Sequence, residues 1–81
     1  MMIEKRVRLT YPQHLLSQPL IYQLIRQFDV LTNILGAQVT AEAGWLLLSV
    51  RGERDLVEGG LTWIAEQGVQ VEIIAEAVEE S

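Results

Sequence analysis

Cysteine is absent from the 81-residue sequence. Disulfide bonds, thiolate zinc sites and iron–sulfur clusters are therefore excluded, and nothing covalent compensates for the small size of the chain. Histidine occurs once, as His14, with no carboxylate nearby in sequence, so we predict no metal site. The hydrophobic core of a chain this short is only just sufficient to stabilise a fold, and oligomerisation is the remaining way to bury more surface.

Long apolar runs are missing as well. The longest, such as Trp45 to Leu48, are strand-sized, whereas a membrane-spanning helix needs about 18 or more apolar residues. The first residues lead directly into an alternating pattern instead of a signal-peptide core. We therefore expect a cytoplasmic chain with no direct membrane insertion.

Basic residues are scarce. Six Lys and Arg stand against 11 Asp and Glu, giving a net charge of −5, the opposite of the balance typical of a nucleic-acid binder. The only basic cluster is Lys5, Arg6 and Arg8, and period-two spacing places Arg6 and Arg8 on one strand face with Glu4. We predict a solvated strand face and no nucleic-acid partner.

Catalytic patterns are also lacking. Ser17 and Ser49 have no predictable base, and Glu53 and Asp55 open a predicted helix whose dipole favours their charged forms over a general acid. No Gly-x-x-x-x-Gly-Lys-Ser/Thr loop is present, so the chain cannot hydrolyse ATP by the P-loop route. We predict no catalytic residues, no cofactor and no enzymatic activity.

What the sequence does contain is clear periodicity. Alternating apolar and polar residues predict four strands, and apolar residues at helical spacing predict two helices. In order, these elements lie at residues 3–11, 17–29, 30–43, 45–51, 53–67 and 69–76. Ser17 is expected to cap the first helix, with Pro19 in its first turn, and Gly68 to end the second helix. Ala43-Gly44 is predicted to form the hairpin turn between strands two and three.

This β-α-β-β-α-β order predicts an α+β fold, a ferredoxin-like sandwich in which two helices cover one face of a four-stranded antiparallel sheet. Residues 1–76 are expected to form the single domain and residues 77–81 an acidic tail. No element covers the other sheet face, where Trp45, Leu47 and Ile74 are expected to project and to favour an interface. The alternative to an association surface is that neighbouring side chains shield the tryptophan.

The segment entering strand two contains the tripeptide Asn33-Ile34-Leu35. It resembles the signature of the NIL domain family, and the likeness continues through Leu61-Thr62-Trp63-Ile64 and covers roughly residues 3–74. The resemblance implies a ferredoxin-like regulatory domain, familiar as the C-terminal part of methionine-importer ATPase subunits, where paired copies bind methionine and restrain transport. It also implies that Asn33 contacts a ligand.

An amide such as that of Asn33 can donate and accept hydrogen bonds to a zwitterionic amino acid. Gly36 would permit close approach, and Ile34 and Leu35 would line an apolar slot suited to a thioether chain. The alternative is that Asn33 only satisfies backbone groups at the strand entry. Leu31-Thr32 stand where methionine-binding relatives tend to be more polar, which leaves a different ligand, a weaker one or none open.

Two functions follow. The first is a regulatory module that binds a small amino acid such as methionine beside a homodimer interface. The second is an interaction module without a ligand, pairing through the open sheet face or the edge of strand two as an adaptor for a transporter or a ferredoxin-type redox partner. An amino-acid sensor of the ACT type shares the fold, but the position of Asn33-Ile34-Leu35 argues against it.

Overall fold

One antiparallel sheet, with strand order β2-β3-β1-β4, organises the molecule. The structure, a computed structural model, describes residues 1–79. The elements in these residues are β1 (Met2–Pro12), a 3-10 helix (Gln13–Leu15), α1 (Leu20–Phe28), β2 (Leu31–Val39), β3 (Ala43–Glu53), α2 (Arg54–Glu66) and β4 (Gln70–Glu79). This arrangement confirms the predicted ferredoxin-like fold and leaves β2 and β4 as the two sheet edges.

The core lies between the sheet and the two helices. Alternation in β1 turns Ile3, Val7 and Leu9 toward the helices, where each is fully buried. The same face of β3 contributes Leu48 and Val50. The helices bury Leu20, Leu24, Val57, Leu61 and Ile64 against these strands. We call this side of the sheet the helix face, and the side carrying Arg6, Arg8, Trp45 and Leu47 the open face.

The entry to α1 differs from the prediction. The helix begins at Leu20 after Pro19, and no side chain caps it, so the expected capping role of Ser17 is wrong. Turns following β1 occupy this segment instead, with the Gln18 amide donating to the Leu15 carbonyl at 3.1 Å. Ser17 therefore lies within a turn, too early in the chain to reach the free amides of the first helical turn.

The hairpin between β2 and β3 also turns at a different place. The Thr40 amide donates to the Ala43 carbonyl at 2.8 Å, and the Thr40 hydroxyl accepts from the Ala43 amide at 3.2 Å. The reversal thus lies at residues 40–43, and the predicted Ala43-Gly44 turn is wrong. Gly44 instead sits inside β3, where an added Cβ would lie only 2.8 Å from Leu16 Cδ2.

A β-bulge at Ile74 changes the faces of β4. Ile73 pairs with Val7, but after the bulge Ala75 pairs with Arg6 on the open face. The alternation predicted for residues 69–76 puts Val69, Val71, Ile73 and Ala75 on one side of the strand, and this prediction is wrong beyond residue 74. Glu76 moves to the helix face, where its Oε1 lies 3.4 Å from Lys5 Nζ.

The C-terminal strand is longer than predicted. Residues 77–79, expected to begin an acidic tail, continue β4, and Glu79 pairs with Met2. Glu79 Oε2 accepts a hydrogen bond from Arg51 Nη2 at 2.7 Å, which raises the pKa of the Arg51 guanidinium. The rest of the predicted tail, residues 80 and 81, lies outside the described residues. No helix within residues 1–79 is long and apolar enough to span a membrane.

Candidate ligand-binding site

The predicted recognition residues lie on β2, an edge strand without a charged side chain. Its large apolar side chains are uncovered, with exposures ranging from 43% for Leu35 to 70% for Val39. A long apolar edge of this kind offers unpaired backbone groups and costly apolar surface to a partner. The β2 edge is therefore a candidate association surface as well as the location of the motif.

A bulge divides the motif between the two sheet faces. Asn33 pairs with Ser49 and Gly36 with Leu47, which places both on the open face. Ile34 pairs with Leu48 on the helix face, and the register skips Leu35, the bulged residue. The structure therefore brings Asn33 and Gly36 together but does not form a single slot from all four predicted ligand-binding residues.

The Asn33 side chain is exposed and unoccupied by local structure. Among residues 1–79, its amide takes part in no hydrogen bond. The alternative role, satisfying backbone groups at the strand entry, thus has no support in the described part of the chain. An amide on an open surface keeps both its donor and its acceptor available to a ligand.

Trp45 lies on the open face and is half-buried. Its Nε1 donates to Gln38 Oε1 at 3.2 Å, and the Arg8 guanidinium lies 5.1 Å from the ring centroid. The indole packs beside Gly36, where an added Cβ would lie 3.6 Å from Trp45 Cζ3, an ordinary contact. These contacts agree with the alternative that neighbouring side chains shield the tryptophan.

The other two predicted interface residues are separated. Leu47 is half-buried on the open face of β3, whereas Ile74 is the bulged residue of β4. Strand β1 runs between them and carries Arg6 and Arg8 on the open face. Trp45, Leu47 and Ile74 therefore do not form one continuous apolar patch.

Sequence reasoning missed a groove on the helix face. It has a volume of about 240 Å³ and lies between the start of α1, the end of β2 and the start of β3, with Tyr11, Leu20, Val39 and Leu46 among its lining residues. Burial raises the pKa of the Tyr11 hydroxyl. No sequence signal marks the groove, because it arises from the distance between elements that are far apart in the chain.

The chain matches a known family along most of its length. The model of the NIL domain family matches residues 5–73. The methionine import ATP-binding protein MetN of Coxiella burnetii is 31% identical over 72 residues, which cover 84% of this chain and 20% of that protein. The MetN of Helicobacter hepaticus is 41% identical over 58 residues, which cover 67% of this chain and 16% of that protein. This chain thus spans about a fifth or less of the length of these two relatives.

Solved structures share the fold. The C-terminal domain of an ABC transporter ATP-binding protein from Enterococcus faecalis superposes with a TM-score of 0.77 at 21% identity, covering 88% of this chain and 83% of that chain. The de novo designed protein Foldit4 superposes with a TM-score of 0.63 at 10% identity, covering 99% of this chain and 100% of that chain. At these identities the likeness shows the fold alone.

Proposed function

Because the chain belongs to the NIL domain family, we propose that it is a non-catalytic regulatory domain that binds an amino acid such as methionine on β2, beside an interface between two copies of the chain. The observation that carries the proposal is the unoccupied Asn33 amide, which stands within the family match on an exposed edge strand. The relatives named for methionine import support methionine as the first ligand to test.

The open face of β2 suits an amino acid that has an apolar side chain. Asn33 offers a donor and an acceptor to a zwitterionic head group, and Gly36 lies on the same face beside the Trp45 ring. Leu31 pairs with Arg51 on the same face, two residues before Asn33, and its side chain is exposed. We propose that Leu31 contacts the ligand's apolar chain, while Ile34, on the helix face, supports the strand.

The homodimer in this proposal forms along the β2 edge. The opposite edge, β4, carries Glu72, Glu76 and Glu79, whereas β2 carries no charge. Charged side chains are costly to bury in a pairing edge, whereas two β2 edges would bury apolar side chains and pair backbone groups about a two-fold axis. Such pairing leaves the open face of each copy accessible to a ligand.

The regulatory role requires a partner that reads the bound state. The relatives are ATP-binding proteins for methionine import, of which this chain matches a minor part. We propose that an importer ATPase is this partner, and that ligand binding changes how the domain contacts it. In this proposal the chain itself contributes recognition of the ligand and contact with the partner.

Isothermal titration with L-methionine tests the ligand. We expect saturating heat from the wild-type protein and binding weakened about tenfold or more in Asn33→Ala, because hydrogen bonds to charged groups contribute about 1.5–3 kcal/mol. Gln70→Ala is a matched control, since it removes an exposed amide from the opposite edge strand. Absence of heat with wild-type protein at millimolar methionine would contradict the proposed ligand.

The second candidate is an interaction module without a ligand. The observation that favours it is the same uncharged, apolar β2 edge, which offers backbone groups and apolar surface for pairing without any small molecule. In that case the protein acts as an adaptor for a transporter or a redox partner. A stable dimer that gives no heat with any amino acid would favour this function over the first.

A further inference from the structure

Cationic side chains in this acidic protein almost all have a local partner. Lys5, Arg51 and Arg54 each form ion pairs with glutamates. Arg8 lies over the ring of Trp45, and Arg26 lies 5.8 Å from the ring centroid of Tyr22. Within residues 1–79, Arg6 alone has neither a carboxylate nor an aromatic partner. The sequence has 11 acidic residues, so the missing partner is not explained by a shortage of carboxylates.

Arg6 lies in the same cross-strand row as Asn33. It pairs with Ser49 of β3, and Ser49 pairs with Asn33 of β2, so all three side chains lie on the open face. Adjacent strands lie about 4.8 Å apart, which places the Cα atoms of Arg6 and Asn33 about 10 Å from each other. An arginine side chain extended toward β2 can close most of that gap.

Small neighbours leave the Arg6 guanidinium uncovered. Its cross-strand partners, Ser49 on one side and Ala75 on the other, have small side chains, and Arg6 is exposed. A hollow of about 180 Å³ lies beside Arg6 on the side of β4, away from Asn33, and is lined also by Glu4, Ala75, Glu76 and Ala77. Glu4 shares this face but is not ion-paired with Arg6 within residues 1–79.

We propose that Arg6 binds the carboxylate of the amino-acid ligand whose polar head group lies at Asn33. This inference rests on the proposed function and adds the residue that recognises the acid group. A guanidinium presents parallel N–H donors that match the two oxygens of a carboxylate, a fit that a lysine cannot reproduce. Ser49, which lies between the two residues in this row, is only 8% exposed, so we assign the carboxylate to Arg6 and not to the Ser49 hydroxyl.

The test combines a protein change with a ligand change. Titrations with L-methionine and with L-methioninol, which has an alcohol in place of the carboxylate, are run on wild-type, Arg6→Ala and Arg6→Lys proteins. Arg8→Ala is the matched control, because it removes a guanidinium from the same face of the same strand, two residues away. Circular dichroism verifies that each variant is folded, as expected for changes at exposed side chains.

We expect wild-type protein to prefer methionine over methioninol by about tenfold or more. Arg6→Ala should bind both ligands equally weakly, Arg6→Lys should keep a reduced preference, and Arg8→Ala should keep the full preference. If Arg6→Ala keeps wild-type affinity and preference, Arg6 is not the carboxylate site, while the proposed function stands. If the wild-type protein binds no methionine, the proposed function and this inference are both overturned.

Discussion

The position of Tyr11 in the fold changes the pKa of its hydroxyl. It lies near the end of β1, 9% exposed, and burial raises the pKa of its hydroxyl above the ordinary value of 10.0. A buried phenol resists ionisation because the charged form loses hydration. The folded state therefore holds the Tyr11 proton more tightly than the unfolded chain does.

This pKa difference predicts a loss of stability in alkali. The contribution is fully present below the unfolded pKa, about 10, and is lost as the pH rises through the higher folded pKa. The Tyr11→Phe variant has no hydroxyl to ionise at this position. The free energy of unfolding of the variant should therefore fall less than that of the wild type between about pH 8 and about pH 11. Urea denaturation at both pH values measures this difference. Equal losses in the two proteins would show that another group carries the alkaline sensitivity.

Single residues were predictable where local sequence determines their conformation. Gly68 was expected to end the second helix, and its φ of 106° lies in the region that favours glycine. Arg6 and Arg8 lie on the predicted face with Glu4. The role of Ser17 was not predictable, because a cap depends on how the turns after β1 direct the chain into α1. The lack of a carboxylate or aromatic partner for Arg6 was also not predictable from the sequence, because such partners come from other strands.

At the scale of elements, the two helices meet closely at Gly60. An added Cβ there would lie 2.7 Å from Leu24 Cδ1 and 3.4 Å from Phe28 Cγ, and Leu24 is fully buried. At the neighbouring Gly59, an added Cβ would lie 3.6 Å from Phe28 Cε1, an ordinary contact. Two adjacent helical glycines thus have opposite tolerance for a side chain.

Alanine substitutions should separate these two glycines. Gly59→Ala should stabilise the protein by about 0.5–1 kcal/mol, because alanine loses less backbone entropy in a helix. Gly60→Ala should destabilise it by about 1–3 kcal/mol, because α1 and α2 must move apart or Leu24 must leave its rotamer. Thermal or urea unfolding of both variants measures the difference. A stabilising Gly60→Ala would show that the helices are not in tight contact there.

The elements themselves were predictable because periodicity reports which side of a segment is buried. The bulges were not predicted, and they decide which motif residues share a face. Both fall at adjacent isoleucine or leucine residues, Ile34-Leu35 in β2 and Ile73-Ile74 in β4. Such apolar pairs interrupt strict alternation, and they are the sequence signal that could have indicated the bulges.

At the scale of the whole molecule, the fold was predictable from the order of the elements. How two copies would associate depends instead on the chemistry of the two edge strands. The β-α-β order appears twice, so β2 and β4 occupy equivalent edges, and each contains a bulge. Their chemistry differs, since β2 is uncharged and β4 carries three glutamates. The proposed pairing through β2 rests on this asymmetry, because charged side chains protect an edge strand from pairing.

Matched lysine substitutions test this difference between the edges. Ile34 and Val39 lie on the helix face of β2, on either side of its bulge, and Ile73 and Val78 occupy the same positions around the bulge of β4. All four side chains are exposed, so neither double variant should disturb the core. The two variants also add the same charge.

We expect wild-type protein to sediment as a dimer and the Ile34→Lys/Val39→Lys variant as a monomer, because lysines brought together along a pairing edge repel and resist burial. The Ile73→Lys/Val78→Lys variant should remain a dimer. Sedimentation equilibrium measures the three masses. Dissociation of the β4 variant alone would place the interface on the acidic edge, and a dimer that survives both changes would place it away from both edge strands. A monomeric β2 variant that still binds methionine would further show that each copy holds a complete ligand site on its own open face.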